Sequence, residues 1–357
     1  MDRHGGNVHH FQREMVDFSA NIHPDGMPEA VKKAMEDALS MAVHYPDPEY
    51  KELKQAICKK YHIEEQWVIC GNGAADLLYR LAMLLKPKKV LLPVPAFVEY
   101  EEAFTMPGIE RPEILPYQLD PETFLLDPGI LKMMTKEIDI LILCNPNNPT
   151  GRMIDEGLLK VILNKAKEEQ IFLLLDECFL DFVTDGKKRS MIAHMQDYKN
   201  VFILRSFTKM YAIAGIRLGF GICANEELIR KLEAMAPSWT INHVAQRAGI
   251  AACQLDGYEE QTAEQVAELR GELYEEMRQL PIRIWEGSAN YLFFQVKGCE
   301  TLRQRCMEKG ICIRQCHNYR GIGKDYYRVA VRGREENRQL LWVLRELFEE
   351  GIDRNEM

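Results

Sequence analysis

The stretch from Ser206 to Phe220, "SFTKMYAIAGIRLGF", sets one lysine among hydroxyls, small residues, apolar side chains and a single arginine. Lysine is among the residues least often buried, and nothing acidic lies nearby in sequence to pair with Lys209. A lysine amine becomes a Schiff-base former where desolvation or a neighbouring cation favours its neutral form. Arg217, eight positions on (217 − 209 = 8), offers such a cation and a phosphate ligand, and the hydroxyls of Ser206 and Thr208 can serve the same phosphate. A single lysine is more often simply solvent-facing, so the chemical reading depends on helpers elsewhere in the chain.

Those helpers lie at the ends of strand-like runs, where open α/β sheets place their ligands. "VICGNGAADLLYRLA" reads as strand, glycine turn and helix, and the free N–H groups of a helix start suit a phosphate. The partial G-x-G pattern lacks a third glycine and an acidic residue after the next strand, so a single phosphate fits better than a dinucleotide. "IDILILCNPNNPTG" is an almost wholly apolar strand running into an Asn/Pro turn, as expected of a strand covered on both faces. Asp176 follows the apolar run "IFLLL", where a carboxylate needs a cationic or protonated partner such as a heteroaromatic nitrogen. Its bland alternative is an aspartate capping the next segment.

Helical and extended patterns alternate through most of the 357 residues, which predicts an α/β fold with a largely parallel sheet. Helices are expected at "PEAVKKAMEDALS", "EYKELKQAICKKY", "AADLLYRLAMLL" and "LLKVILNKAKEEQ". A long polar helix from about Glu259 to Gln279 changes the texture, and the remainder reads as an α+β unit. The expected organisation is an arm over residues 1–25, a large domain over 26–255 and a small domain over 256–357.

With 46% hydrophobic and 28% charged residues the composition is that of a globular protein. The net charge of −9 argues against a nucleic-acid or anionic-membrane surface. The ten cysteines are scattered without a C-x-x-C pair, the opening has no apolar signal core and no segment reads as a membrane span, so a cytoplasmic protein with reduced thiols is expected. His4, His9 and His10 lack cysteine or carboxylate ligands at useful sequence spacing, so no metal site is expected.

Together the motifs resemble the fold-type-I pyridoxal-phosphate enzymes, the aspartate aminotransferase superfamily, over essentially the whole chain. The resemblance implies a large domain with a mostly parallel seven-stranded sheet flanked by helices, plus a smaller α+β domain. It implies that Lys209 carries pyridoxal 5'-phosphate, that Asp176 partners the pyridine nitrogen and that Asn148 bonds the phenolic oxygen. Gly73, Ala74, Ser206, Thr208 and Arg217 correspond to the phosphate cradle, and Phe97 of "PAFVEY" to the ring-stacking residue. Tyr45 of "YPDP" resembles a tyrosine that reaches the cofactor phosphate of a neighbouring subunit, implying a homodimer with shared sites. Arg328 of "YYRVAVRGREEN" is similar to the arginine that grips a substrate α-carboxylate, with Arg314, His4 and Asn21 as further substrate ligands.

Within the superfamily, "YPDP", "NPNNPTG" and "GIRLGF" occur in both histidinol-phosphate aminotransferases and the threonine-phosphate decarboxylases of cobalamin biosynthesis. "HGGN", "DFSANIHPDG" and "CGNGAAD" look more like the decarboxylases, as does Phe179 where aminotransferases usually have tyrosine. The implied reaction is decarboxylation of L-threonine O-3-phosphate to (R)-1-aminopropan-2-yl phosphate, with transamination as the alternative. Ala74 and His23 depart from that pattern, which usually has glutamate and asparagine there. The effector-binding halves of some transcription regulators share the fold, but they carry an added DNA-binding domain for which this chain has no room.

Overall fold

The computed structural model describes residues 4–7, 9 and 14–351. Its strands in chain order are β1 (Val16–Asp17), β2 (Val68–Gly71), β3 (Lys89–Val94), β4 (Glu113–Gln118), β5 (Ile140–Cys144), β6 (Phe172–Asp176), β7 (Val201–Ser206), β8 (Gly219–Ile222), β9 (Arg283–Trp285), β10 (Tyr291–Gln295), β11 (Ile311–Cys312), β12 (Arg314–Gln315) and β13 (Tyr326–Ala330). Seven of them form one sheet in the order β2-β8-β7-β6-β5-β3-β4. Six run the same way; β8 alone is antiparallel to both of its neighbours. Parallel neighbours need a long crossover, whereas antiparallel neighbours can be joined directly. The Lys209 stretch is therefore the short connection between β7 and the one reversed strand.

The buried strands form where the sequence is apolar and β-branched or leucine-rich. Every residue of β5, "ILILC", is buried, as is every residue of β7. Helices Glu29–Ala38, Lys51–Tyr61, Ala74–Leu85 and Glu156–Glu168 occupy the expected positions, the last with an N-cap in which Asp155 Oδ1 accepts from Leu158 N at 2.9 Å. Within the seven-stranded sheet, the strand that the sequence pattern does not reveal is β4, "EILPYQ". It lies at the sheet edge, half exposed and with a proline inside it, so neither alternation nor an unbroken apolar run marks it. Helices Glu226–Ala234 and His243–Cys253 were likewise not singled out.

One apolar cluster surrounds the seven-stranded sheet. A second lies between the four-stranded antiparallel sheet β12-β13-β10-β9 and helices Tyr258–Met277 and Arg334–Glu349, with Leu273, Phe294, Leu340 and Leu344 buried in it. Phe18 joins this second cluster, because β1 pairs with β11, Val16 opposite Ile311, and Phe18 O accepts from Ala330 N at 2.8 Å. The N-terminal segment is thus part of the C-terminal unit's packing. All ten cysteines are free, nine of them buried. No helix among the described residues is long and apolar enough to cross a membrane.

Candidate active site

Strand register explains how residues far apart in sequence meet. Cys144 and Asp176, at the ends of β5 and β6, lie side by side with Leu204 of β7. Ser206, Gly219 and Gly71 form a second row across β7, β8 and β2. The first row leads into "NPNNPTG" and carries the carboxylate. The second brings the glycine turn before helix Ala74–Leu85 against the Lys209 connection. A cavity of ≈ 570 Å³ opens over both rows and is lined by Ala74, Phe97, Asn148, Asp176, Ser206, Thr208, Lys209 and Arg217, together with Arg314, Arg328, His4 and Asn21.

At the phosphate-cradle end, Ser206 caps the short helix Phe207–Met210, and its Oγ lies 2.7 Å from Thr208 Oγ1. Lys209 Nζ donates to Ser206 Oγ at 3.3 Å and sits 5.4 Å from the centre of the Phe179 ring. Gly73 is the N-cap of helix Ala74–Leu85 with φ +81, and an added β-carbon there would stand 2.6 Å from Arg217 Nη2. Glycine at 73 therefore lets the guanidinium lie against the helix start, where free N–H groups and a positive charge converge. Gly73 itself does not line the cavity; its neighbour Ala74 does.

Asp176, 7% exposed, ends β6. Its Oδ1 accepts from Cys178 N at 2.8 Å and its Oδ2 from the Tyr100 hydroxyl at 2.7 Å. Burial, reinforced by the Asp176 charge, pushes the Tyr100 phenol up, so it remains a donor. Phe97 meets Tyr100 edge-on with ring centres 5.8 Å apart. Behind the sheet, Arg205 forms a buried ion pair with Glu177 at 3.1 Å and a second with Asp181, while Ser190 Oγ donates to Glu177 Oε2 at 2.6 Å. Burial nevertheless raises the Glu177 and Asp181 carboxyls, with Arg205 opposing.

Arg314 and Arg328 are direct cross-strand partners on β12 and β13, so both side chains reach the cavity from the same face. Arg328 Nη1 donates to Asn148 Oδ1 at 2.6 Å and Nη2 to Ser19 O at 2.9 Å, while its buried Nε has no partner among the described residues. Arg314 Nη2 donates to Asn318 Oδ1 at 2.6 Å. Asn21 Oδ1 is also buried without a partner among the described residues. At the mouth, His4 Nε2 lies 3.0 Å from Glu99 Oε1, and this hydrogen bond holds the Glu99 carboxyl below its usual range. Folding brings His4, Glu99 and Glu102 within 4.8 Å of one another, a proximity the sequence spacing hid. His10 lies outside the described residues.

Tyr45 is not brought to this cavity. It is 77% exposed and stacks on Trp239 at 4.4 Å. Sequence reasoning missed Tyr100 and Tyr319, both in the cavity wall; Tyr319 donates to Asn148 Oδ1 at 3.2 Å. Nothing local marks either tyrosine, since their partners lie 76 and 171 positions away.

The model of the aminotransferase class I and II family matches residues 13–344. The chain belongs to that family. It is 34% identical over 358 residues to a threonine-phosphate decarboxylase of Salmonella typhimurium, spanning 97% of this chain and 96% of that one. It is 28% identical to the adenosylcobalamin biosynthesis bifunctional protein of Leptospira interrogans, covering 98% of this chain and 41% of that protein. Among solved structures, the histidinol-phosphate aminotransferase of Clostridium acetobutylicum superposes with a TM-score of 0.87 at 28% identity, covering 94% of this chain and all of that one.

This family and fold are of the pyridoxal-phosphate-dependent type. The residues present fit such a group. Gly73 leaves room that a β-carbon would fill, two hydroxyls and a guanidinium converge on a helix start, and a buried carboxylate faces the same cavity. The donor set suits a phosphate monoester at one end and a protonated ring nitrogen at the other.

Proposed function

We propose that the protein decarboxylates L-threonine O-3-phosphate, releasing CO2 and forming (R)-1-aminopropan-2-yl phosphate for the aminopropanol linker of cobalamin, with pyridoxal 5'-phosphate as cofactor. The observation that carries this reading is the opposed pair Arg314 and Arg328 facing the Lys209 cavity. Two guanidiniums placed directly opposite repel, and an anion between them offsets that cost. A substrate with both a carboxylate and a phosphate supplies two anions. The likeness to the Salmonella decarboxylase over nearly the whole chain, and Phe179 in place of a tyrosine, favour the same reading.

Ser206, Thr208, Arg217 and the amides at Gly73 and Ala74 would hold the cofactor phosphate, Phe97 would cover the ring, Asn148 would bond its phenolic oxygen and Asp176 its nitrogen. Bound there, pyridoxal phosphate supplies an aldehyde for the substrate amine and an electron sink for the pair left by the departing carboxylate. Arg328 would hold the substrate carboxylate. Arg314, His4 and Asn21 would position the rest of the substrate. Lys209 Nζ would deliver the proton that Cα takes up when CO2 leaves, which balances the reaction.

Transamination uses the same lysine, moving a Cα proton instead, and the likeness to a histidinol-phosphate aminotransferase favours it as the second reading. Incubation with O-phospho-L-threonine should release CO2. Glutamate formed from histidinol phosphate and 2-oxoglutarate without CO2 release from phosphothreonine would replace the first reading by the second. Lys209→Ala should lose the yellow chromophore of the lysine-bound cofactor.

A homodimer accompanies this reading. Leu39, Val43 and Tyr45 are exposed on one short segment, and Tyr45 is braced by Trp239, an apolar surface suited to a second copy whose cofactor phosphate Tyr45 would reach. Sedimentation of the holoenzyme, with Tyr45→Phe scored for cofactor loss, tests it.

A further inference from the structure

Among the described residues, the Asp176 carboxylate accepts from the Cys178 N–H and from the Tyr100 hydroxyl, and the two hydrogen bonds differ in kind. The Cys178 N–H at 2.8 Å is fixed by the backbone turn after β6, and any residue at 178 other than proline could supply it. The Tyr100 hydroxyl at 2.7 Å comes from a different part of the chain and reaches a carboxylate already 7% exposed from a side chain that is 1% exposed. Two buried polar groups meeting over such a sequence distance commit the fold to that contact.

We propose that Tyr100 is a positioning residue for the cofactor ring nitrogen: by donating to Asp176 Oδ2 it fixes and aims the carboxylate that would face the protonated nitrogen. This inference rests on the cofactor reading above. A proton between a pyridine nitrogen and a carboxylate divides according to their relative basicities, and a donor to the carboxylate lowers its basicity. A neutral phenol does so without placing a second cation beside the pyridinium. The phenol stays protonated, because burial and the Asp176 charge both raise its pKa. The geometry also couples two cofactor contacts. Tyr100 N donates to Phe97 O at 3.2 Å and the two rings meet edge-on, so one turn supplies both the ring cover and the donor to its nitrogen's partner.

A double-mutant cycle on the full-length holoenzyme tests this, reading retention of pyridoxal phosphate on dilution by its visible absorbance. Tyr100→Phe, which keeps the ring and removes the hydroxyl, should loosen the cofactor roughly tenfold, as loss of a hydrogen bond to a charged group implies. It should lower kcat for O-phospho-L-threonine while leaving KM unchanged. In an Asp176→Asn background the same substitution should change retention by less than about twofold, because its target charge is gone. Equal losses in both backgrounds, or none in either, would overturn the inference while leaving the cofactor reading intact. A wild-type protein that takes up no pyridoxal phosphate would overturn both. Thermal midpoints of the four proteins separate these outcomes from a packing defect, since a packing defect lowers the midpoint by the same amount in either background.

Discussion

Arg328 Nη1 lies 2.6 Å from Asn148 Oδ1, joining the four-stranded sheet to the turn after β5 across 180 positions of sequence. The bond ties the residue expected to grip a substrate carboxylate to the one expected to bond the cofactor's phenolic oxygen. Arg328→Lys keeps the charge and loses the fork. KM for O-phospho-L-threonine should rise about 10- to 100-fold, the equivalent of about 1.5–3 kcal/mol for hydrogen bonds to a charged group. Steady-state CO2 release measures it, and an unchanged KM would remove Arg328 from the substrate site.

Gly73 adopts φ +81 with ψ 161, a region essentially reserved for glycine, and its missing side chain makes way for Arg217. Gly73→Ala should cost about 1–3 kcal/mol of stability through backbone strain alone. It should also displace the guanidinium and weaken cofactor retention. Gly215→Ala, where an added methyl meets nothing within 4 Å, is the matched control and should be close to neutral. Thermal midpoints with and without added pyridoxal phosphate separate the two effects.

His23, where the decarboxylase pattern has asparagine, accepts from Asp25 N at its Nδ1, 3.1 Å away. Its Nε2 therefore carries the hydrogen and donates to Thr262 Oγ1 at 3.0 Å. Burial lowers its pKa, with Asp25 opposing. A histidine kept neutral in the fold binds fewer protons than in the unfolded chain, so its effect on stability is nil above its unfolded pKa of about 6.5. As pH falls through that value the fold loses stability, by at most about 1.4 kcal/mol per pH unit for one proton, until the lowered folded value is passed. His23→Gln should flatten urea-unfolding stability between about pH 7 and 5.5. The same slope in the variant would assign the effect to another group.

Arg205 is 3% exposed and pairs with both Glu177 and Asp181. Arg205→Ala would leave the buried Glu177 and the half-buried Asp181 without their cation, a change that costs about 3–5 kcal/mol. Because Glu177 and Ser206 are chain neighbours of Asp176 and Arg205, cofactor retention should fall with stability. Denaturant midpoints check the first effect and absorbance the second, and a loss below about 1 kcal/mol would mean that the carboxyls are neutral in the fold.

The interior strands were legible because β5, β6 and β7 are unbroken apolar runs ended by polar turns, the pattern of strands covered on both faces. Edge strand β4 was not, because half of its surface meets solvent and a proline interrupts it. Cradle motifs could be read locally, since a glycine turn, a helix start and a hydroxyl-rich connection each carry their chemistry in a few consecutive residues. Tyr100 could not, because its meaning lies in a contact with Asp176 that no local pattern encodes.

By itself, then, the sequence determined the alternation of strands and helices, the family resemblance and the chemical types available at each strand end. Only the tertiary structure decided which of them meet. The reversal of β8 makes "SFTKMYAIAGIRLGF" a direct connection, places Gly219 between Ser206 and Gly71 and so sets Arg217 against the start of helix Ala74–Leu85. Cross-strand pairing makes Arg314 and Arg328 opposite neighbours, and exposure of Tyr45 leaves it outside the cavity of its own chain. The reason is physical: local sequence sets backbone preference and side-chain chemistry over a few residues, whereas register and packing set which distant side chains share a buried space.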